Sequence, residues 1–409
     1  MKKHRIKKAQ RAAKGRAKNK GTERAPKRKS TMASIKVVGV GGGGGNIVSR
    51  MMGGADRIRG VEFIAINTDA QDLDHALAHR KIYIGRALTR GLGAGMNVEI
   101  GRQAAEENRS EIGEALDGAD IVFVTAGFGG GTGTAVSPVV AEIARERGIL
   151  TIGVVTKPFA FEGAQRAAIA QEGLGRFKEK VDALVVIPND RIFSLIDKDT
   201  PLMRAFGYID DVLKNAVRSI TELINTPGII NVDFADIRTT LKDAGSTLIG
   251  LGVASGQDRA VKAVDAALNS PLLEVSIDGA KGVLFSIAGG RDLKMAEIND
   301  IAKAISANVD TNARVIFGAY HDRGLHEKSI KITVIATGFN GAFGPRMQMP
   351  SLFMTPEASR KETPPHTTAQ KEKGQPPRSP EEEQPNPPKA HVEKEEPWEI
   401  PTFLRKRKK

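Results

Sequence analysis

The order of apolar and polar residues along the chain predicts strands that alternate with helices. From residue 34 onward, short runs rich in β-branched residues follow one another: IKVVGV, VEFIAIN, IVFVTAG, LTIGVVT and ALVVIPN. Helical patterns lie between them, for example NVEIGRQAAEENRSEIGEAL. Strands that alternate with helices are typical of a parallel sheet covered on both faces, so the fold class predicted for this region is α/β.

A long apolar stripe follows this region and predicts one central helix. Residues 202–224 carry apolar side chains at helical spacing, and the tripeptide TPG ends the pattern. Residues 231–338 contain helical segments and the strand-like runs GVLFSIAGG, ARVIFGAY and IKITVIATGF. We therefore predict an α/β domain over 34–201, a central helix and connection over 202–230, and a second, smaller α/β domain over 231–338.

Charge sets both ends of the chain apart from its middle. The net charge is +13, and residues 1–30 alone contain 14 Lys or Arg and one acid. Residues 1–33 are predicted to form a disordered basic arm, and 339–396, rich in Pro, Glu, Lys and Gln, a disordered linker. The last segment, 397–409, ends in RKRKK. The basic ends favour contact with nucleic acid, acidic lipid or acidic protein, and improved solubility is the simpler alternative.

Two further features of the composition exclude classes of protein. The chain has no cysteine, which excludes a disulfide framework and a thiolate metal site. No run of 18 apolar residues occurs, so the sequence predicts no transmembrane helix.

Two glycine-rich stretches point to a bound polyphosphate. GVGGGGGN covers residues 39–46 and GFGGGTGTA covers 127–135, and each follows an apolar run and precedes a helical pattern. Glycine lets the backbone approach an anion closely, and the N–H groups at a helix N-terminus favour negative charge. Thr132 and Thr134 add hydroxyl donors. Two such loops on one sheet predict a polyphosphate held from both sides, whereas either loop alone is equally typical of a tight turn.

The first loop also fits a different class of enzyme. The dinucleotide pattern G-x-G-x-x-G can be laid over Gly39 to Gly44, and it expects an acid about twenty residues further on. Asp69 lies farther away than that, and the pattern leaves the second loop unexplained. An NAD(P)-dependent oxidoreductase is therefore the less favoured alternative. Neither loop contains the G-K-[ST] of a Walker A motif.

A series of motifs resembles one known family. GGGTGT, VEFIAINTDAQDL, LTRGLGAG, VVTKPFAFEG, VIPNDRIF, NVDFADIRT and SPLLEVSIDGAKGVLFSI are similar, in this order, to the bacterial FtsZ branch of the tubulin/FtsZ GTPase family. The resemblance covers roughly residues 34–338 and resumes at EIPTFLRKR. It implies a cytoplasmic GTPase that polymerises head-to-tail into the cell-division ring beneath the membrane.

The resemblance implies a GTP/GDP site with Mg²⁺ held through the phosphates and no direct metal ligand from the protein. The family's phosphate and ribose contacts fall on Gly42, Gly43, Gly44, Gly45, Asn46, Ala94, Gly95, Gly131, Thr132 and Gly133. Its sugar and base contacts fall on Glu162, Arg166, Asn189, Phe206 and Asp210. The chemistry agrees, since a carboxylate accepts from ribose hydroxyls or from the guanine edge and a phenyl ring stacks on a purine. Without the family pattern, the residues themselves favour ordinary roles: Glu162 as a surface acid, Phe206 as a core residue and Asp210 as a solvated acid.

The segment NVDFAD supplies candidate hydrolytic residues, Asn231, Asp233 and Asp236. Two acids and an amide can orient a water for attack on a γ-phosphate, although acids that cap a helix give the same pattern. Residues 210–224 span about 22 Å if helical, so these acids lie too far from a nucleotide beside Asp210 of the same chain. They can reach a nucleotide on the next chain of a head-to-tail stack, which does not close and therefore grows into a filament.

Five positions near the predicted nucleotide site depart from the family pattern. Smaller or different residues are usual at the positions of Ile47, Met96, Val98, Ala135 and Ile209. The extra bulk near the base pocket is expected to lower nucleotide affinity. A filament protein that binds GTP without hydrolysing it is therefore an alternative.

At the C-terminus, EIPTFLRKR resembles the peptide that docks on membrane tethers and regulators, with its apolar anchors at Ile400, Phe403 and Leu404.

Overall fold

The computed structural model describes residues 33–54, 57–197, 199–270, 276–322 and 324–339. The predicted basic arm, linker and C-terminal peptide lie outside the described residues. The strands are β1 Ile35–Val40, β2 Val61–Asn67, β3 Arg80–Tyr83, β4 Ile121–Gly127, β5 Leu150–Lys157, β6 Ala183–Pro188, β7 Gly245–Ser255, β8 Gly282–Gly289, β9 Arg314–His321 and β10 Ser329–Thr337. The α-helices are α1 Gly41–Met52, α2 Ala70–His75, α3 Arg86–Thr89, α4 Val98–Glu107, α5 Arg109–Leu116, α6 Gly131–Glu146, α7 Ala164–Lys178, α8 Leu202–Asn225, α9 Phe234–Leu241, α10 Arg259–Leu268 and α11 Met295–Ser306.

The strands form one mostly parallel sheet. Within the described residues it has ten strands, in the order β3-β2-β1-β4-β5-β6-β7-β10-β8-β9. Neighbours from β3 to β7 are parallel, as are β8 and β9, whereas β10 is antiparallel to both β7 and β8. The prediction of an α/β fold with two parts and a long central helix is confirmed.

Helices cover both faces of the parallel half, as the continuous apolar runs predicted. Every residue of β1 is buried, which is typical of a strand packed on both sides. On one face α1 and α8 form a core around Phe63, Phe123 and Leu213. On the other face α4 to α7 form a second core that includes Ile64 and Phe177.

Three local features differ from the sequence-based expectation. β3 and β7 were not predicted, because β3 is short and polar and the apolar residues of β7 are interrupted by glycine at 250 and 252. The stretch NVEIGRQAAEENRSEIGEAL forms two helices rather than one. The break lies at Asn108, whose backbone leaves the helical region (φ −107°, ψ 18°) and whose side-chain oxygen accepts from the Gly85 N–H at 3.1 Å. Gly85 lies 23 residues before Asn108, so a contact between positions distant in sequence accompanies the break.

The central helix α8 joins the two halves of the sheet. It is 24 residues long, and its buried residues pack in one core with Leu284 and Ile335 from the second half. In contrast, β6 and β7 pair through only two residue pairs, Ala183–Gly245 and Leu184–Ser246. Side-chain packing on α8 therefore connects the halves more extensively than backbone pairing does. The domain boundaries given above stay predictions.

Candidate nucleotide-binding site

A cavity of about 650 Å³ lies at the carboxyl ends of β1, β4, β5 and β6. This edge of a parallel sheet is where ligands bind in α/β folds. The N-termini of α1 and α6 both border the cavity, so two sets of helix N–H groups face it. The predicted contacts that line it are Gly42, Gly43, Asn46, Gly131, Thr132, Gly133, Glu162, Arg166, Asn189, Phe206 and Asp210.

Gly41 to Gly45 form the first turns of α1, whereas in the second stretch only Gly131 and Gly133 belong to α6 and Gly129 and Gly130 precede it. Helix α1 begins at Gly41 and α6 begins at Gly131, and neither has a side chain that caps its first turn. The N–H groups of the first turn are thus available to a ligand. Gly44 has a different reason to be glycine: a Cβ there would lie 2.6 Å from the Thr125 carbonyl oxygen, so its lack of a side chain lets α1 pack on β4.

The two threonines of the second glycine stretch have different roles. The hydroxyl groups of Thr132 and Thr68 lie 2.7 Å apart and share a hydrogen bond at the cavity wall. Thr134 is buried, and its hydroxyl accepts from the Gly129 N–H at 2.9 Å. Thr134 does not line the nucleotide cavity, so the prediction that it donates to the ligand is wrong, and its hydroxyl instead holds the preceding turn in place.

The side of the cavity formed by β5, β6 and α8 carries the predicted sugar and base contacts. Glu162 accepts from the Phe159 N–H at 2.8 Å and pairs with Arg166 at 2.5 Å, so both side chains are held in place. Phe206 is 39% exposed and meets Phe159 edge-on, which excludes its reading as a core residue. The side-chain oxygen of Asn189 is buried and has no hydrogen-bond partner among the described residues. A buried, unpaired acceptor beside a cavity fits a ligand that donates to it.

Asp210 forms an ion pair that the sequence did not predict. Its carboxylate lies 2.8 Å from Nε of Arg50, a residue of α1 that also lines the cavity. Burial raises the pKa of Asp210 to about 6, while Arg50 opposes this shift and Asp211 adds to it. The position is thus not the solvated acid of the alternative reading. Arg50 lies four residues after Asn46, and this spacing on a helix could have placed it at the site.

The remaining predicted contacts lie around the cavity but do not line it. Gly44 is packed against β4, and Gly45 borders a small recess next to Asp72. Ala94 lies behind Gly131, where its methyl group is 3.0 Å from the point at which a Gly131 Cβ would stand. Gly95 is exposed and has φ +54°. The structure therefore assembles most, but not all, of the predicted contacts around one volume.

The candidate hydrolytic residues lie away from this cavity. Asp233 is the N-cap of α9, Asp236 lies in its first turn, and the Asn231 side chain accepts from the Gly228 N–H at 2.7 Å. None of the three lines the cavity. Asp210 and the last residue of α8, Asn225, are separated by about 22 Å of helix. The acids follow that far end, as the sequence predicted.

The positions that depart from the family pattern do not all affect the cavity. Ile47 and Ile209 line it. Val98 and Ala135 instead line a separate cleft of about 270 Å³ between α4, α6 and α7. Met96 has φ +64°, a left-handed conformation that is unfavourable for a residue with a side chain.

A nucleotide fits the residues of this cavity, and the described part of the chain offers no preformed metal cluster. The helix N–H groups suit phosphate, and the fixed Glu162–Arg166 pair suits ribose hydroxyls. The exposed ring of Phe206 suits a base, and the unpaired amide oxygen of Asn189 suits a donor on the sugar or base. Among the described residues, no group of three or more His, Cys, Asp or Glu side chains is arranged to hold a metal ion. No described helix is both long enough and apolar enough to span a membrane.

Comparison with known proteins identifies the family. Residues 34–197 match the profile of the Tubulin/FtsZ family, GTPase domain, and residues 245–340 match that of the FtsZ family, C-terminal domain. The chain is 46% identical to the protein in a structure titled as an empty FtsZ dimer from M. jannaschii, over 76% of this chain and 89% of that one, with a TM-score of 0.72. The chain belongs to the FtsZ family.

Further structures agree with this assignment. A mutant FtsZ of M. jannaschii is 47% identical over 75% of this chain and 92% of its own, with a TM-score of 0.71. CetZ1 from Haloferax volcanii, described as a GDP-bound monomer, shares the fold at 23% identity, with a TM-score of 0.65 over 75% of this chain and 95% of that one. As an FtsZ-family member, the chain is a tubulin-like cytoskeletal protein whose GTPase domain binds GTP and GDP. This assignment decides against the oxidoreductase alternative.

Proposed function

We propose that the chain assembles head-to-tail into filaments and hydrolyses GTP at each contact between subunits. The observation that carries this proposal is the separation between the cavity and the acids Asp233 and Asp236, which follow the opposite end of α8. A hydrolytic group this far from its own nucleotide acts only if a neighbouring subunit brings it there. The related M. jannaschii protein, titled as an FtsZ dimer, supports self-association of the family.

At such a contact, the cavity of one subunit binds GTP and the α9 end of the next subunit covers the γ-phosphate. The carboxylates of Asp233 and Asp236 and the amide of Asn231 accept from and orient the attacking water. Attack breaks the bond between the β–γ bridging oxygen and the γ-phosphorus, and yields GDP and phosphate. The N–H groups at the starts of α1 and α6 balance the charge on the phosphates. Mg²⁺, when bound through the phosphates, neutralises part of that charge.

In the cell, we assign this filament to the bacterial division ring, in the cytoplasm beneath the membrane. The support is membership of the FtsZ family and the sequence of the C-terminal segment. There Ile400, Phe403 and Leu404 follow a Pro-rich linker, which suits a tethered peptide that docks on membrane tethers and regulators. The basic ends supply contacts with acidic lipid or nucleic acid.

The shared site is tested by mixing two inactive variants. Asp210→Ala removes the guanine acceptor and keeps the acids, whereas Asp236→Ala keeps the cavity and removes an acid. Each variant alone is expected to release little phosphate from GTP. A 1:1 mixture is expected to recover about a quarter of wild-type activity, because about a quarter of random contacts join an intact cavity to intact acids. Asp300→Ala, an exposed aspartate on α11, is the matched control and retains activity.

The concentration dependence gives a second readout. Phosphate release from wild-type protein with Mg²⁺ is expected only above a threshold concentration at which light scattering also rises. A mixture as inactive as its parts, or activity strictly proportional to concentration, would contradict hydrolysis at the contact. Filaments that scatter light without releasing phosphate would instead support the non-hydrolysing alternative, which the bulk of Ile47 and Ile209 in the cavity favours.

A further inference from the structure

A second cavity, lined by basic side chains, lies at the amino ends of β5 and β6, whereas the nucleotide cavity lies at their carboxyl ends. Its volume is about 320 Å³, and it is bounded by Gly148, Ile149 and Leu150 before and at the start of β5. The nucleotide cavity lies at the other end of β5, which is eight residues long, so the two volumes are about 23 Å apart. The basic cavity is therefore not an extension of the nucleotide site.

Three cationic side chains surround this volume: Arg145 near the end of α6, and Arg238 and Lys242 on and just after α9. The guanidinium of Arg238 donates through Nη2 to the Gly148 carbonyl at 2.8 Å. That of Arg145 donates to the Glu179 carbonyl at 2.9 Å. Main-chain carbonyls thus hold both guanidinium groups in place before any ligand arrives.

Two carboxylates share the cavity, and neither neutralises Arg238 or Lys242. Asp243 pairs with Arg145 at 3.0 Å. Asp182 is buried and accepts from the Thr151 N–H at 2.8 Å and from the Asp243 N–H at 3.4 Å. In the part of the chain that the structure describes, the exposed ammonium of Lys242 has no partner, and Arg238 has no carboxylate partner. The lining therefore carries an excess of one positive charge.

We propose that this cavity binds a small tetrahedral oxyanion of the phosphate class. A guanidinium fork and a separate ammonium approach the volume from α9, and Arg145 approaches from α6. A tetrahedral anion presents oxygens in several directions and can meet such donors together, whereas a planar carboxylate meets one fork at a time. The volume equals that of about ten waters, which leaves room for the anion and part of its hydration shell.

The basic cavity lies between α6, which borders the nucleotide cavity, and α9, which carries the acids. Helix α6 begins in the nucleotide cavity and carries Arg145 in its last turn, and α9 begins at the acids and ends next to Lys242. An anion held by side chains of both helices ties the helix that borders the nucleotide to the helix that carries the acids. Occupancy is therefore expected to stabilise the folded chain against heat.

The test uses the full chain saturated with GDP, so that the nucleotide cavity is filled, and sulfate as the probe. Thermal unfolding is followed during a sulfate titration, with sodium chloride at equal ionic strength as the reference. Wild-type protein is expected to show, beyond the chloride reference, a rise in Tm that grows with the logarithm of the sulfate concentration and reaches about 2 °C or more at tenfold the dissociation constant. Lys242→Ala is expected to weaken the apparent sulfate affinity about tenfold, and Lys242→Glu to abolish the rise in Tm beyond the chloride reference.

Lys303→Ala is the matched control, because Lys303 is an exposed lysine at the end of another helix, α11. It is expected to respond to sulfate as the wild type does. An equal response in Lys242→Ala, or an equal rise with chloride, would overturn the proposal, because it would show a general salt effect. An equal rise with acetate at matched ionic strength would overturn the assignment to a tetrahedral oxyanion.

Discussion

Two adjacent glycines of α1 are expected to respond in opposite ways to the same substitution. A Cβ added at Gly44 would lie 2.6 Å from the Thr125 carbonyl oxygen and 2.8 Å from the Gly39 carbonyl carbon. Both atoms belong to the main chain of neighbouring strands and cannot rotate away. A Cβ added at Gly45 would meet only the Ala76 methyl group at 3.7 Å, an ordinary van der Waals distance.

The free energies follow from these distances. In a helix, Gly→Ala stabilises by about 0.5–1 kcal/mol, because alanine loses less backbone entropy on folding. Gly45→Ala is expected to show that gain. Gly44→Ala has the same gain, but it forces α1 away from β4, and such overpacking costs about 1–3 kcal/mol or more. The two variants are therefore expected to differ by about 2 kcal/mol or more in the free energy of unfolding.

Urea denaturation of the nucleotide-free proteins measures this difference directly. GDP affinity provides a second measurement, because the displacement of α1 in Gly44→Ala also moves its first-turn N–H groups away from the cavity. Gly45→Ala serves as the control for helix propensity. Equal stabilities for the two variants would refute the argument that Gly44 is required by the contact between α1 and β4.

Two further predictions concern the cavity and its surroundings. Because the pKa of Asp210 is about 6, its carboxylate becomes protonated as pH falls, and GDP affinity is expected to be about tenfold weaker at pH 5 than at pH 7. Fluorescence titration with labelled GDP measures this, and a pH-independent wild type, or a dependence that persists in Asp210→Asn, would contradict it. The free energy of unfolding of Met96→Gly is expected to be about 1 kcal/mol higher than that of Met96→Ala, because only glycine adopts the left-handed backbone at φ +64° without strain. Equal urea midpoints would exclude that strain.

The sequence predicted the parts of the fold that have a strong periodic signal. The apolar runs that became β1, β2, β4, β5 and β6 were recognisable because strands buried on both faces contain few polar residues. The stripe of α8 was equally clear. The short edge strand β3 and the small residues of β7 lack such a signal, and their pairing depends on neighbours distant in sequence.

The candidate site was predictable to a similar degree. The family motifs gave the residues around the cavity, whereas the Arg50–Asp210 ion pair joins positions 160 residues apart and requires the packing of α1 against α8. The sequence also could not predict the hydrogen-bond partner of Thr134, because its hydroxyl can bond a ligand or the adjacent backbone with equal ease. Position in the folded chain decides between the two.

The narrow pairing of β6 with β7 determines how a pulling force would travel through the molecule. Only two residue pairs carry backbone hydrogen bonding across that seam, whereas α8 packs against both halves. In a filament of the proposed kind, tension enters at the cavity and leaves at the acids, and these are the two ends of α8. The packed side chains of α8 therefore resist a force that pulls the two halves of the sheet apart. In single-molecule pulling, the two β6–β7 residue pairs should break at a lower force than the packing of α8 against the two halves.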